Sequence, residues 1–355
     1  MITRRQVLLA AAALGAPVHV ARMQPSSPDA AWPTAEPETL GFAADLGDRI
    51  DTRLDEFPAV TGVLVIRHGT LAFEAYRGGY EAGTLVNIRS VTKSVTSTLV
   101  GIALQRGDID PIDVTVGEVI PERIPPTADP AVADITMESF LSMTSGLWWD
   151  THDDWPMLLA AANWVENTLQ QPIVAPQGTQ FVYNTGGSHL VGVMLASMVN
   201  QPLEDYALTH LFTPLGITPG PWMRSPQGEV NGGSGLELLP RDTAKLGQLL
   251  LDGGLWAGES LVDPAYAAAA TTRQSEGEAV TGGSIGVPYG FQWWITDATG
   301  YPAFFALGFG GQYVYVVPDL ELVVVVAAGF ADGTTPILTS HRPIAEQIVI
   351  PAIGS

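Results

Sequence analysis

The stretches of this chain that favour β-strand lie at its two ends, and that separation constrains the fold more than any other feature. Near the start, "TGVLVIRHGTLAFEAYRGG" (61–79) alternates into two strands about His68-Gly69, the pattern of a hairpin. Near the end come "YGFQWWIT" (289–296), "QYVYVVP" (312–318) and "LVVVVAA" (322–328). The middle third, from "DIDPIDVTVGEVIPERIPP" to about "MRSPQGEV", carries mostly helical patterns broken by proline and no convincing strand pair. Strands need partners, so the N- and C-terminal segments must share one antiparallel sheet. The expected fold is α/β (α+β): an antiparallel sheet flanked by helices, built from residues 40–105 and 230–355, with a mostly helical lobe of residues 106–229 inserted. Leu46, Ile50, Leu54 and Phe57 mark one helix packed by a single face, "PRDTAKLGQLLLDG" (240–253) marks another, and an apolar-periodic segment from about Ile337 to Ile350 closes the chain.

Composition narrows the function. With 355 residues, 46% of them hydrophobic, the chain can bury a large core. A net charge of −21 repels phosphate backbones and anionic lipid, which argues against nucleic acid as a partner. The absence of cysteine excludes disulfides, thiolate metal sites and a cysteine nucleophile together. At the N-terminus, Arg4 and Arg5 precede an apolar stretch from Val7 to Ala16 and then small residues, the layout of an export signal of the twin-arginine type over residues 1–21. That predicts recognition by export machinery and a periplasmic or secreted protein, with 22–39 as a proline-rich linker; read instead as a frayed helix, the same segment leaves the protein cytoplasmic. The longest other apolar run, 322–330, falls far short of the ~20 residues of a membrane helix, so no stable insertion is expected once the signal is gone.

Three motifs carry candidate chemistry. In "NIRSVTKSVTSTLVGIALQRGD" (87–108), six of the nine residues from Ser90 to Thr98 are serine or threonine, and Lys93 is one of only two lysines in the chain. Ser90 and Lys93 fall one turn apart on the same helix face. A serine attacks only when something takes its proton, and a lysine can do so only if its pKa of about 10.4 falls by roughly three, at a cost on the order of 4 kcal/mol that burial can impose. The alternative is Ser90 as a helix cap with Lys93 in solvent. Tyr183, in "QFVYNTGGSHL", lies on a short extended link just before a helix, where the dipole favours a phenolate; the alternative is a buried aromatic with a bonded hydroxyl. In "LGFGGQYVYVVPD", Gly308, Gly310 and Gly311 open a strand whose N–H groups could face an oxyanion. Two further patterns compete with these. "GGSIG" (282–286) matches a nucleophile elbow, with Asp319 and His341 following in order, but lacks the flanking strand and helix. "WWDTHDDW" (148–155) gathers Asp150, His152, Asp153 and Asp154 without a second motif at ligand spacing, so no metal is expected.

Taken together, Ser90-x-x-Lys93, "LSMTSGL" (141–147), Tyr183-Asn184-Thr185 and Phe309-Gly310-Gly311 resemble, in order and spacing, the serine β-lactamase and penicillin-binding-protein superfamily, nearest to class C β-lactamase-like esterases and 6-aminohexanoate-dimer hydrolases. The resemblance runs from about residue 40 to 350. It implies Ser90 as acyl-accepting nucleophile, Lys93 as its base and Tyr183 as proton shuttle. It implies an oxyanion hole of the Ser90 and Gln312 backbone N–H groups, or a neighbour of Gln312 in the glycine strand. Asn184, Thr185, Phe309, Gly310, Gly311, Trp148 and Trp149 would contact substrate, and no cofactor or metal is required. Thr185 stands where β-lactamases carry asparagine, and Phe309 where they carry a carboxylate-binding lysine. The expected substrate is therefore a small ester or linear amide, with β-lactamase or D-alanyl-D-alanine peptidase activity, or a sensor that does not turn over, as the alternatives.

Overall fold

The computed structural model describes residues 31–277, 287–329 and 341–354. The export-type segment 1–21, the first part of the linker, the "GGSIG" pattern with Ser284, and the beginning of the closing segment lie outside the described residues.

One six-stranded antiparallel sheet has the order β2-β1-β10-β9-β8-β7. Its strands are β1 (Val60–Arg67), β2 (Thr70–Tyr76), β7 (Trp294–Thr296), β8 (Ala303–Gly308), β9 (Gln312–Val317) and β10 (Leu322–Ala328). The N-terminal hairpin pairs with the last strand, in register Val63 to Val326 and Val65 to Val324, so the two ends of the chain close the sheet as the strand distribution required. His68 and Gly69 both take positive φ, 52° and 71°, at the turn from β1 to β2. β10 lies inside the sheet and is buried throughout, which is why it reads as an unbroken apolar run. Its side chains divide with a period of two. Val323 and Val325 join Leu64, Ile66, Val314 and Val316 on one face, against the main core. Leu322, Val324 and Val326 join Val63, Val65, Phe305 and Tyr315 on the other, against α1 (Leu46–Leu54) and the C-terminal helical turn Ile344–Val349.

The helical lobe shares the first of these cores. Its members run from the sheet through α2 (Val91–Arg106) to Phe140 of α3 (Met137–Leu141), and to Leu190, Val191 and Met194 of α6 (Thr185–Met198). Between them lie α4 (Asp154–Ala160) and α5 (Trp164–Leu169); α7 (Pro240–Leu251) and α8 (Pro264–Ala270) follow. Gly247 brings α7 against Val314, Val316 and Val323 of the sheet. A two-residue ladder, β3 (Val86–Asn87) with β4 (Glu237–Leu238), ties the chain just before α2 to the chain just before α7; the small hairpin β5 (Leu255–Trp256) with β6 (Glu259–Ser260) caps α7.

One strand expectation is corrected, and one strand, β8, was not anticipated. The strand expected over 289–296 is confined to β7, because Gln292 adopts φ 63° and folds the preceding residues into a turn, with Gly290 N–H donating to Trp293 O at 2.7 Å. Phe309-Gly310-Gly311 forms the turn that leads from the unanticipated β8 directly into β9, which starts at Gln312 as expected.

α2 is buried along every residue from Val91 to Ala103, and its packing leaves no room at Gly101, where an added Cβ would stand 2.6 Å from both Tyr266 Cδ1 and Val262 Cγ1. Helix propensity alone favours alanine over glycine by about 1 kcal/mol; overpacking against α8 outweighs it. Gly101→Ala should therefore lower stability by about 1–3 kcal/mol in denaturant unfolding, and a neutral or stabilising result would refute the close α2–α8 contact.

Candidate active site

Ser90 stands at the N-terminus of α2, immediately after Arg89, whose φ of 53° turns the chain from β3 into the helix and whose N–H donates to Asn87 Oδ1 at 3.0 Å. The Ser90 side chain makes no capping bond. It is half-buried, and Lys93, only 1% exposed, reaches it with Nζ at 3.1 Å. The same Nζ donates to Thr185 Oγ1 at 3.1 Å and to Gly233 O at 2.8 Å. All three partners are neutral. Burial pulls the Lys93 pKa down to about 7, with no charged neighbour contributing. An uncharged amine there can donate to Gly233 O and Thr185 Oγ1 while its lone pair accepts the Ser90 hydroxyl proton.

Tyr183 lies across this cluster, its ring 4.9 Å from Lys93 Nζ, stacked on Trp294 at 5.6 Å and edge-on to Tyr289 at 6.4 Å. Burial raises the Tyr183 pKa to about 12, and the nearby Ser90 side chain pulls the other way. The phenolate expected from the helix dipole is thus disfavoured, and at neutral pH Tyr183 is a proton donor. Asn184 Oδ1 already accepts the Gly187 N–H at 2.8 Å at the start of α6.

The serines and threonines of α2 bind the walls of the site. Ser94 Oγ donates to Gln292 O and Ser97 Oγ to Phe291 O, each at 2.7 Å, and Thr96 Oγ1 donates to Gly232 O at 2.7 Å. Thr92 Oγ1 accepts from Leu236 N–H at 3.3 Å. The poor helix formers thereby fix two loops, 232–236 and 291–292, on either side of the lysine. Gln292 extends the network, accepting from Ser188 Oγ at 2.9 Å and donating to Phe140 O and Leu141 O at 2.9 and 3.0 Å.

The other expected contacts divide. Thr185 joins the Lys93 cluster, whereas Asn184 is a buried helix cap whose own N–H donates to Met143 Sδ at 3.3 Å. Trp149 is core, packed with Leu158, Trp164 and Val182, while Trp148 is 46% exposed. Gly308 adjoins the residues that lead into Ser90: a Cβ there would lie 2.5 Å from Ile88 O and 3.1 Å from Arg89 Cβ. Gln312 pairs opposite Gly308, and its side chain donates to Ala328 O and accepts from Ala328 N–H. Gly310 and Gly311 take φ of 87° and 97°, and Gly311 O is bonded by His341 Nδ1 at 2.9 Å. Phe309 is 39% exposed at the turn. In the acidic loop, Asp150 Oδ1 accepts from His152 N–H at 2.8 Å and Asp153 N–H at 3.3 Å, so the acids cap their own turn. No group of three or more potential metal ligands occurs among the described residues. Gly233, Asn231 and Gln292 were not anticipated as site residues; the glycine string "NGGSG" (231–235) was the available signal for the first two.

An amine held below its unfolded value makes stability depend on pH. Between about pH 7 and the free-lysine value of 10.5 the unfolded chain binds the extra proton, so stability rises with pH across that window; below it the fold carries the full cost of a buried ammonium. Lys93→Met removes the term. Its stability relative to the parent should grow by several kcal/mol as pH falls from about 10 to about 6, measured by denaturant unfolding; a constant difference would show that Lys93 is not titrating in the fold.

Comparison with known proteins agrees with this architecture. Residues 49–335 match the family model described as Beta-lactamase. The 6-aminohexanoate-dimer hydrolase of Paenarthrobacter ureafaciens is 26% identical over 344 residues, covering 89% of this chain and 83% of that protein. Among solved structures, EstCE1, a hydrolase with promiscuous acyltransferase activity, superposes with a TM-score of 0.71 at 18% identity, covering 88% of this chain and 99% of that one. The octameric penicillin-binding protein homologue from Pyrococcus abyssi gives 0.67 at 18% identity, over 88% and 77%. With a sheet closed by both chain ends, an inserted helical lobe and a family match over most of its length, this chain belongs to the β-lactamase family.

Proposed function

We propose that the protein cleaves a small carboxylic ester or linear amide through an acyl-enzyme on Ser90. The observation that carries this reading is a buried lysine amine, in no ion pair among the described residues, 3.1 Å from the hydroxyl of a half-buried serine. Neutral Lys93 takes the Ser90 proton as Oγ attacks the carbonyl carbon. The tetrahedral oxyanion is held by the Ser90 N–H and a second N–H from the β8–β9 turn. Contact of Gly308 with Ile88 and Arg89 favours the Phe309 end of that turn over Gln312; each such donor is typically worth roughly 3 kcal/mol of barrier. Tyr183, kept protonated by burial, gives its proton to the departing alkoxide or amine and recovers one from the Lys93 ammonium. Water then enters and attacks the acyl carbon, losing a proton to the Tyr183–Lys93 pair; the pair returns that proton to Ser90 Oγ as the acyl–enzyme bond breaks and the acid leaves.

The choice of a neutral substrate rests on what borders the site. Phe309 stands where the resemblance puts the carboxylate-binding lysine of β-lactamases, and Trp148 is likewise a large exposed apolar group, on the segment leading to Trp149 beside α6. An acyl group without charge suits both. The same reading has residues 1–21 direct export, with catalysis in the periplasm or outside the cell; no described helix is long and apolar enough to cross a membrane.

A fluorophosphonate probe should label the peptide containing Ser90 and nothing in Ser90→Ala; label on another residue would overturn the assignment. With p-nitrophenyl butyrate, Ser90→Ala and Lys93→Ala should each lower kcat by about 10³-fold or more with the circular dichroism unchanged, and Tyr183→Phe by at least about 10²-fold. For the parent enzyme, kcat/KM should rise with pH through about 7 as Lys93 loses its proton. A chromogenic cephalosporin should turn over at least about 10²-fold more slowly than the ester; the reverse order would make the protein a lactamase, and one stoichiometric burst without turnover a sensor.

A further inference from the structure

We infer that Asn231 is a positioning residue for the catalytic amine: by gripping the main chain of Gly233 it fixes the one carbonyl to which Lys93 donates. The inference rests on the assignment of Lys93 as base. Of the three partners of Nζ, Ser90 and Thr185 are hydroxyls that rotate and can donate or accept, whereas Gly233 O only accepts and lies closest, at 2.8 Å. A carbonyl oxygen favours ammonium over amine and so opposes the effect of burial. How firmly that oxygen is held therefore decides how basic Lys93 remains.

Asn231 holds it. The side chain is wholly buried, and its Oδ1 accepts the Gly233 N–H at 2.8 Å, closing a turn over 231–233. Its main chain is anchored on both sides, N–H to Met223 O at 2.7 Å and O from Trp222 Nε1 at 2.8 Å. Thr96 of α2 secures the neighbouring Gly232 O at 2.7 Å. On the α6 side there is no slack: a Cβ on Gly232 would be 2.7 Å from Ser188 O, and one on Gly233 2.7 Å from Thr185 O. The carbonyl is thus seated between two buried helices by an asparagine that is not among the hydrogen-bond partners of Lys93. The groups facing Nζ are Ser90 from its own helix, Tyr183 and Thr185 from the entry to α6, and Gly233. Tyr183 is the titratable one and is kept neutral by burial.

With only two lysines in the chain, the amine can be observed directly. Protein labelled with ¹³C at lysine Cε gives two signals, that of Lys93 being the one absent from Lys93→Met, and its chemical shift is followed against pH beside kcat/KM for p-nitrophenyl butyrate. In Asn231→Ala the Lys93 midpoint should fall by about one pH unit, the acid limb of kcat/KM should move with it, and Thr96→Val should move both the same way by less. An unmoved midpoint in folded Asn231→Ala and Thr96→Val, or an upward shift, overturns the inference while leaving Lys93 as base. If Asn231→Ala does not fold, Thr96→Val decides alone. A parent signal titrating near the free-lysine value would instead defeat the assignment of Lys93, and this inference with it.

Discussion

A primary amine enclosed by protein, with a hydroxyl, another hydroxyl and a carbonyl for company, is the contact on which the site depends. A carboxylate in any of those positions would hold Lys93 as an ammonium and leave it no lone pair to offer. The chain supplies neutral acceptors instead, each from a different segment: Ser90 from the same helix, Thr185 from the start of α6, Gly233 from the glycine string. Much of the architecture keeps those segments together. The sheet, closed by both chain ends, supports α2 from one side; the helical lobe covers it from the other; the β3–β4 ladder ties the two passages of chain between lobes.

The unusual composition of α2 follows from its position. A helix buried on every side cannot be amphipathic, and the backbone of the loops around it must find hydrogen-bond partners. Serine and threonine are small enough to let those loops approach and polar enough to satisfy them. Their weaker helix propensity is offset by bonds to Gly232, Phe291, Gln292 and Leu236.

Much of this was legible from sequence, and the failures have physical causes. Strand distribution gave the sheet because strands without partners are not stable, and the His68-Gly69 turn was marked by its local chemistry. The strand over 289–296 was misjudged because the left-handed turn at Gln292 is held by side-chain bonds to Phe140 and Leu141, some 150 positions away in the chain. Asn184 and Trp149 were expected to line the site from their place in the motifs; Asn184 Oδ1 caps α6 while its buried Nδ2 has no hydrogen-bond partner among the described residues, and Trp149 packs into a small core beside that helix. Thr185, one position on, has the hydroxyl that reaches Lys93. The place of Tyr183 beside Lys93 was visible in the motif. Its protonation was not, because burial is a property of neighbours that the local sequence does not display.

The partners of Lys93 are separated from it by 92 and 140 positions. No stretch of chain short of the whole assembly can deprive its ammonium of water, so a nascent or partly unfolded copy carries a serine no more reactive than that of any peptide. Under the proposed mechanism, chemical potency is the last thing the polypeptide acquires, and a nick or local opening that releases the glycine string would return Ser90 to dormancy without touching it.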